Sequence, residues 1–144
     1  MLSKAIALAA REFEGRKDKG GSPYILHCMY VMEQVSHLGE DVMMAAVLHD
    51  VAEDTDITFQ DLQDMGFSDT VVNMVDYLTH REDMSYDEYI ERMITYAPRS
   101  VLKIKMADLR HNSDIHRMKG LRDKDFERLK KYHRTYATLR EALK

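Results

Sequence analysis

Apolar residues recur along the chain at steps of three and four, and almost nowhere at every second position. That period marks amphipathic helices rather than strands. It predicts a first helix from Leu2 to Glu14, with Ile6, Ala9, Ala10 and Phe13 on one stripe. Gly15 to Pro23 interrupts it with a loop dense in positive charge. A second helix is predicted from Tyr24 to Leu38, ended by Gly39, and a third, apolar enough to be buried, from Asp41 to Val51. Thr58 starts a short helix to about Met65, stopped by Gly66, and Ser68 caps another reaching about Thr79. Ser85-Tyr86-Asp87-Glu88 reads as a capping box for a helix to about Tyr96, and Pro98 fits the first turn of the next. Gly120 breaks the chain again, and Asp123 caps a last helix running nearly to Lys144. The expectation is an all-α, compact bundle of about seven or eight helices, in one domain over residues 1–144.

Composition narrows the classes. Apolar residues make up 44% and charged residues 32%, and 21 basic against 25 acidic side chains give a net charge of −4. Nothing global points to nucleic acid or to a membrane surface. Locally the charge is uneven: residues 50–64 hold six acids and no Lys or Arg, whereas residues 116–134 hold eight Lys or Arg against three acids. One cysteine, Cys28, excludes an internal disulfide and a Cys-based zinc site, and suits a cytoplasmic protein. The first residues are broken by charge too early for a signal peptide, and no run reaches the roughly 18 apolar residues of a membrane span.

Chemistry concentrates at Leu48-His49-Asp50-Val51-Ala52-Glu53-Asp54-Thr55, directly after the apolar run Val42 to Val47. An ionisable His-Asp pair there costs several kcal/mol unless neutralised or bound, and a divalent metal is the usual partner. A solvated acidic cap is the competing reading. His27, inside the second helix, and Asp108, set in an apolar helical surface, are two further candidate ligands. His27 alone could be a core residue, and Asp108 could instead pair with Lys105 or Arg110. Together, two imidazoles and two carboxylates suit Mn²⁺, Fe²⁺ or Mg²⁺ better than a closed tetrahedral zinc site. Glu53 and Asp54 lie three and four residues beyond Asp50, so on a helix they return to the same face. A carboxylate beside a metal-acidified water is a common hydrolytic arrangement.

The order His27…His49-Asp50…Asp108 resembles the HD metal-dependent phosphohydrolases. More narrowly, the chain resembles the hydrolase domain of the RelA/SpoT family and its short stand-alone members. Three segments carry that likeness: Arg16-Lys17 with Ser22-Pro23-Tyr24-Ile25-Leu26-His27, His49 through Thr55, and Lys105 through Asn112. The resemblance implies one Mn²⁺, or another divalent first-row ion, held by His27, His49, Asp50 and Asp108. It assigns Glu53 and Asp54 to positioning and deprotonating the attacking water. It implies a guanosine substrate carrying a 3′-diphosphate, cleaved there to release pyrophosphate, with substrate contacts at Arg16, Lys17, Asn112, Arg128 and Tyr132. A chain of this length is expected to lack the family's nucleotide synthetase domain.

The sequence also departs from the family. The family usually has His or Ala-His before the basic loop, where this chain has Arg11 and Glu12 nearby; Cys28 replaces a proline often found after the first His, Leu109-Arg110 is inverted, and Ser113-Asp114 follows the Asn. The expected function is therefore a metal-dependent phosphohydrolase of a nucleotide, guanosine 3′,5′-bis(diphosphate) first. Alternatives are the same centre acting on a nucleoside monophosphate or the 2′-phosphate of NADPH, or a non-catalytic nucleotide-binding regulatory module. The partner is a small nucleotide, with no nucleic acid or membrane, and the oligomeric state is left open.

Overall fold

The computed structural model describes residues 1–144 and is all-helical apart from one isolated bridge between Lys17 and Pro23. The helices are α1 (Leu2–Glu12), α2 (Ile25–Gln34), α3 (Glu40–Val47), α4 (Val51–Asp54), α5 (Phe59–Asp64), α6 (Asp69–Tyr77), α7 (Tyr86–Tyr96), α8 (Arg99–Asn112) and α9 (Asp123–Ala142). Short 3₁₀ turns occupy Ser36–Leu38 and Ile115–Arg117. Eight α-helices are six residues or longer, and α4 is a single turn, as the apolar period leads one to expect. No helix is long and apolar enough to cross a membrane.

The most apolar helix is the hub. Val42, Met44, Ala45, Ala46 and Val47 of α3 are all buried, and α3 packs against α1, α2, α6 and α8. Its small residues let neighbouring helices approach from several sides, so its C-terminal end comes to rest deep in the molecule. A cluster of 31 buried apolar residues surrounds it, drawn from helices along the chain from α1 to α9. Burial of apolar side chains drives such packing at about 25 cal/mol per Å².

Several ends differ from expectation for local reasons. The third helix stops at Val47 instead of Val51, and the chain turns through Leu48, His49 and Asp50 before α4. The His49 ring Nδ1–H donates to the Ala46 carbonyl at 2.6 Å, and the His49 backbone N–H uses the same oxygen at 3.3 Å. That carbonyl is the one the Asp50 N–H would need to continue the helix. The second helix ends at Gln34 and tightens to 3₁₀ before Gly39, whose φ of 102° suits only glycine. Ser85 accepts from the Glu88 N–H, but the reciprocal capping box lies at Thr58 and Asp61. Arg122, not Asp123, is the N-cap of α9, because the Asp125 carboxylate accepts from the Arg122 N–H at 2.9 Å. Pro98 likewise sits at the N-cap of α8, one residue before its first turn.

Candidate metal centre and its adjoining cleft

Three separate segments bring four polar side chains into the apolar interior. His27 comes from α2, His49 and Asp50 from the turn after α3, and Asp108 from α8, and all four are buried. Their donor atoms lie within 4.8 Å of one another. Asp108 Oδ1 lies 2.9 Å from His27 Nε2 and 3.2 Å from His49 Nε2, and Asp50 Oδ2 lies 3.0 Å from His49 Nε2 and 3.8 Å from His27 Nε2.

The hydrogen bonds around the cluster aim its atoms. His49 Nδ1–H is committed to the Ala46 carbonyl, so in the neutral ring Nε2 is a bare lone pair facing two carboxylates. Three acceptors cannot converge without something positive between them. In the absence of a metal that role falls to a proton: burial opposes the imidazolium, but the Asp50 and Asp108 charges outweigh it and raise the His49 pKa well above its ordinary 6.5. A divalent cation would satisfy the same three atoms with twice the charge, and His27 would supply a fourth donor. The donor set therefore fits such an ion.

The outer contacts are equally specific, as metal sites require. The Tyr24 hydroxyl donates to Asp50 Oδ2 at 2.5 Å. Lys105 Nζ donates to Asp108 Oδ2 at 2.9 Å, and the Asn112 amide donates to Asp108 Oδ1 at 3.0 Å. The ion pair that competed with a ligand role for Asp108 is thus present together with the cluster, through Lys105. Burial works against the Asp108 carboxylate, but Lys105 and the two histidines hold its pKa well below 3.8. His27 Nδ1 meets His111 Nδ1 at 2.7 Å, and the His111 ring is stacked between those of His27 and Tyr30. Cys28, next to His27, lies in the core, and burial first of all pushes its thiol pKa up to about 12.

Glu53 and Asp54 sit on α4 at the open side, and their carboxylates form a second group with Asp50 whose atoms lie within 4.8 Å. Burial and the Asp50 charge raise both pKa values above their ordinary range. Glu53 accepts from the His80 backbone N–H at 2.5 Å. Asp54 is held through Arg16, which donates to its backbone carbonyl at 3.1 Å and lies over the Phe13 and Tyr24 rings.

Beside the cluster lies a cleft of about 290 Å³. All five residues expected to meet substrate line it: Arg16, Lys17, Asn112, Arg128 and Tyr132. Tyr24 and Asn112 line it as well, so the side chains that donate to Asp50 and Asp108 form the boundary between cleft and cluster. Arg128 is tied to Asp125 at 2.5 Å. Two acids, Asp18 and Asp114, also face the cleft. Asp18 is matched by Arg117 at 2.9 Å and accepts from the Gly20 and Ser22 N–H groups, which folds the basic loop into a strap. The strap presses on the chain after α8 so closely that a Cβ on Gly20 would lie 1.8 Å from the Arg117 carbonyl oxygen. Tyr24, His111 and Arg117 carry no signal of their own in the sequence, and Lys105 only that of an ion-pair partner for Asp108. Tyr24, Lys105 and His111 stand inside the segments that mark the family.

An all-helical bundle with a His/His-Asp/Asp cluster at its centre defines a class, and the chain belongs to it: residues 5–111 match the family model described as HD domain. Among its relatives is a guanosine-3′,5′-bis(diphosphate) 3′-pyrophosphohydrolase of Danio rerio, 33% identical over 121 residues, which cover 78% of this chain and 67% of the relative. The bifunctional (p)ppGpp synthase/hydrolase SpoT of Escherichia coli is 31% identical over 122 residues, 77% of this chain and 17% of SpoT. A GTP pyrophosphokinase of Streptomyces coelicolor is 34% identical over 120 residues, 77% of this chain. The matched segment spans only 14% of that long protein. A solved structure described as a metazoan ortholog of SpoT that hydrolyzes ppGpp aligns over 99% of this chain and 90% of its own, with a TM-score of 0.78 and 24% identity, a likeness of fold.

Proposed function

We propose that the protein is a metal-dependent phosphohydrolase that removes the 3′-diphosphate of guanosine 3′,5′-bis(diphosphate) as pyrophosphate, with Mn²⁺ as the preferred ion, in the cytoplasm. The observation that carries this reading is His49 Nε2 held against Asp50 and Asp108, beside a cleft lined by Arg16, Lys17, Lys19, Arg117 and Arg128. The names of the relatives supply the substrate.

His27, His49, Asp50 and Asp108 would hold the ion. When bound, it supplies positive charge that polarises a phosphoryl oxygen and acidifies water. The chain's own groups do the rest. Glu53 and Asp54, both with raised pKa values, take the proton of the attacking water. Water adds to the phosphorus next to the ribose, the bond from that phosphorus to O3′ breaks, and the electron pair and a proton end on the 3′ oxygen. Arg16 and Lys17 bind phosphate oxygens, and Arg16 also fixes Asp54 through its carbonyl. Asn112 and Tyr132 line the cleft where the nucleoside would lie. Tyr24 orients Asp50 by its short hydrogen bond.

The test is a Mn²⁺ assay against a nucleotide panel, with pyrophosphate and orthophosphate release read separately. The panel includes guanosine 3′,5′-bis(diphosphate), nucleoside monophosphates and NADPH. Pyrophosphate from the first compound alone is the expected result. Orthophosphate from a monophosphate or from NADPH would move the activity to another substrate of the same centre. No release from any member, with the ion bound, would reduce the site to a binding module.

A further inference from the structure

The cleft does not end at Arg128. A second basin, about 580 Å³, adjoins it and shares Lys19, Met118 and Arg128 as a common wall. Lys119, Arg122 and Lys124 line its far side. The one acid lining it, Asp125, already accepts from Arg128 and from the Arg122 backbone N–H. Lys19, Lys119, Arg122 and Lys124 make no ion pair, although ion pairs bind Arg117 and Arg128 next to them. Partial burial, then the charges of Arg128, Lys124 and Lys131, push the Lys19 ammonium below its ordinary pKa. Surface lysines beside unpartnered lysines repel one another, and such a concentration of like charge attracts an anion.

The order of these spaces matters. Tyr24 and Asn112 connect the cluster to the cleft, donating to Asp50 and Asp108 while lining it, and the cleft continues past Lys19 and Arg128 into the basin. A cleft of about 290 Å³ is at the small end of small-molecule sites, which run about 300–1,000 Å³. A nucleoside with phosphates on both sides of its ribose, one set at the metal, must send the other set onward. We infer that the basin lined by Lys119, Arg122 and Lys124 receives the outer phosphates of the substrate's 5′ chain, and that the enzyme therefore discriminates by 5′ phosphate number. This rests on the functional reading above, since it takes the 3′ side to be the one that faces the metal cluster.

The experiment compares three guanosine 3′-diphosphates that differ only in carrying a 5′-mono-, di- or triphosphate. Their binding to the full chain is measured by titration calorimetry in EDTA, where a metal-dependent hydrolase leaves them intact. Wild type should bind the 5′-triphosphate about tenfold more tightly than the 5′-monophosphate, a ratio in keeping with exposed, screened cations. In the combined variant Lys119→Ala, Arg122→Ala, Lys124→Ala that ratio should fall to within about twofold, and it should fall in wild type as salt is raised. The three side chains are exposed, and circular-dichroism melting checks the variant's fold. Lys124→Ala alone should give an intermediate ratio and serves if the combined variant does not fold. A flat series in wild type, or an equally steep one in a folded variant, would overturn the inference. Absent pyrophosphate release with Mn²⁺ would instead overturn the functional reading, and the binding series would still decide the basin.

Discussion

Replacing Lys105 by methionine separates what the fold needs from what an ion supplies. Lys105 Nζ lies 2.9 Å from Asp108 Oδ2, and both side chains are largely shielded from solvent. Burial opposes the ammonium, but the Asp108 charge outweighs it and keeps Lys105 protonated well above its ordinary range. Lys105→Met retains the aliphatic stem beside Tyr89 and deletes only the charge. At an effective dielectric of about 20, two unit charges 2.9 Å apart attract by about 6 kcal/mol. Desolvation of the ammonium takes back part of that, and removing one member of a buried pair costs about 3–5 kcal/mol. The low end applies, because Asp108 keeps His27, His49 and Asn112. The metal-free variant should therefore lose about 3 kcal/mol, a large part of the roughly 5–15 kcal/mol that holds a typical domain together. An ion on Asp108 would bring its own positive charge, so saturating Mn²⁺ should cut the loss to less than half. Urea unfolding followed by far-UV circular dichroism, once in EDTA and once in Mn²⁺, reads both. With a slope of about 2 kcal/mol per molar, the midpoint in EDTA should drop by about 1.5 M. An unchanged midpoint in EDTA, or the same drop in both solutions, would refute the argument that Lys105 compensates a cluster built for a cation.

Asp50→Ala should lose the metal, read by elemental analysis, whereas Glu53→Gln and Asp54→Asn should keep it and lose about 10²–10⁴-fold in kcat. Rates within about threefold of wild type, with metal retained, would clear both acids of the base role. Arg16→Ala should raise KM roughly tenfold or more for a diphosphate-bearing nucleotide. It should also lower kcat, since the Asp54 carbonyl loses its donor, and an unchanged KM would leave Arg16 a strut only. Metal binding at pH 7 should release a proton from His49, seen as a calorimetric heat that varies with the buffer's ionisation enthalpy; identical heats in two buffers would contradict it. The sign of the stability change follows from the same shifts. The raised His49 pKa stabilises the metal-free fold below about pH 6.5, and this is lost as pH climbs through its folded value. The lowered Asp108 pKa stabilises above about pH 3.8 and is lost as pH falls. Metal-free melting temperatures should therefore peak between those limits, and added Mn²⁺ should extend the plateau upward.

Much of this was legible from residue order. A three-to-four period with few prolines leaves little but helices, and the apolar stretch from Val42 to Val47 could only be an interior segment. The meeting of His27, His49, Asp50 and Asp108 was also foreseeable, because each polar residue interrupts an apolar face and needs a partner there. What escaped was the way the meeting is achieved. The apolar pattern runs on through Leu48 and Val51 without a break, so it predicts an unbroken helix. The break comes from the His49 ring taking the Ala46 carbonyl, a contest between side chain and backbone that periodicity does not register.

The same limit explains the substrate side. Arg16 and Lys17 were expected from a loop, and Arg128 and Tyr132 from a helix more than a hundred residues away; that they line one cleft depends on how the loop lies against the chain after α8. Two contacts set that. Asp18 meets Arg117, and Gly20 lies where any side chain would strike the Arg117 carbonyl. Neither residue announces itself, since a glycine in a loop usually signals only a turn and an Asp-Arg pair far apart in sequence signals nothing. The surplus of Lys and Arg over residues 116–134 was visible as a total, yet a total does not tell a solvated face from a basin. Only after the strap is docked do Lys19 and Arg128 become a shared wall, with Lys119, Arg122 and Lys124 beyond it. The His/Asp cluster is thus written in the residues themselves, whereas the cleft is written in the docking of the strap at Asp18 and Gly20, and a change there would reshape the cleft before it touched the cluster.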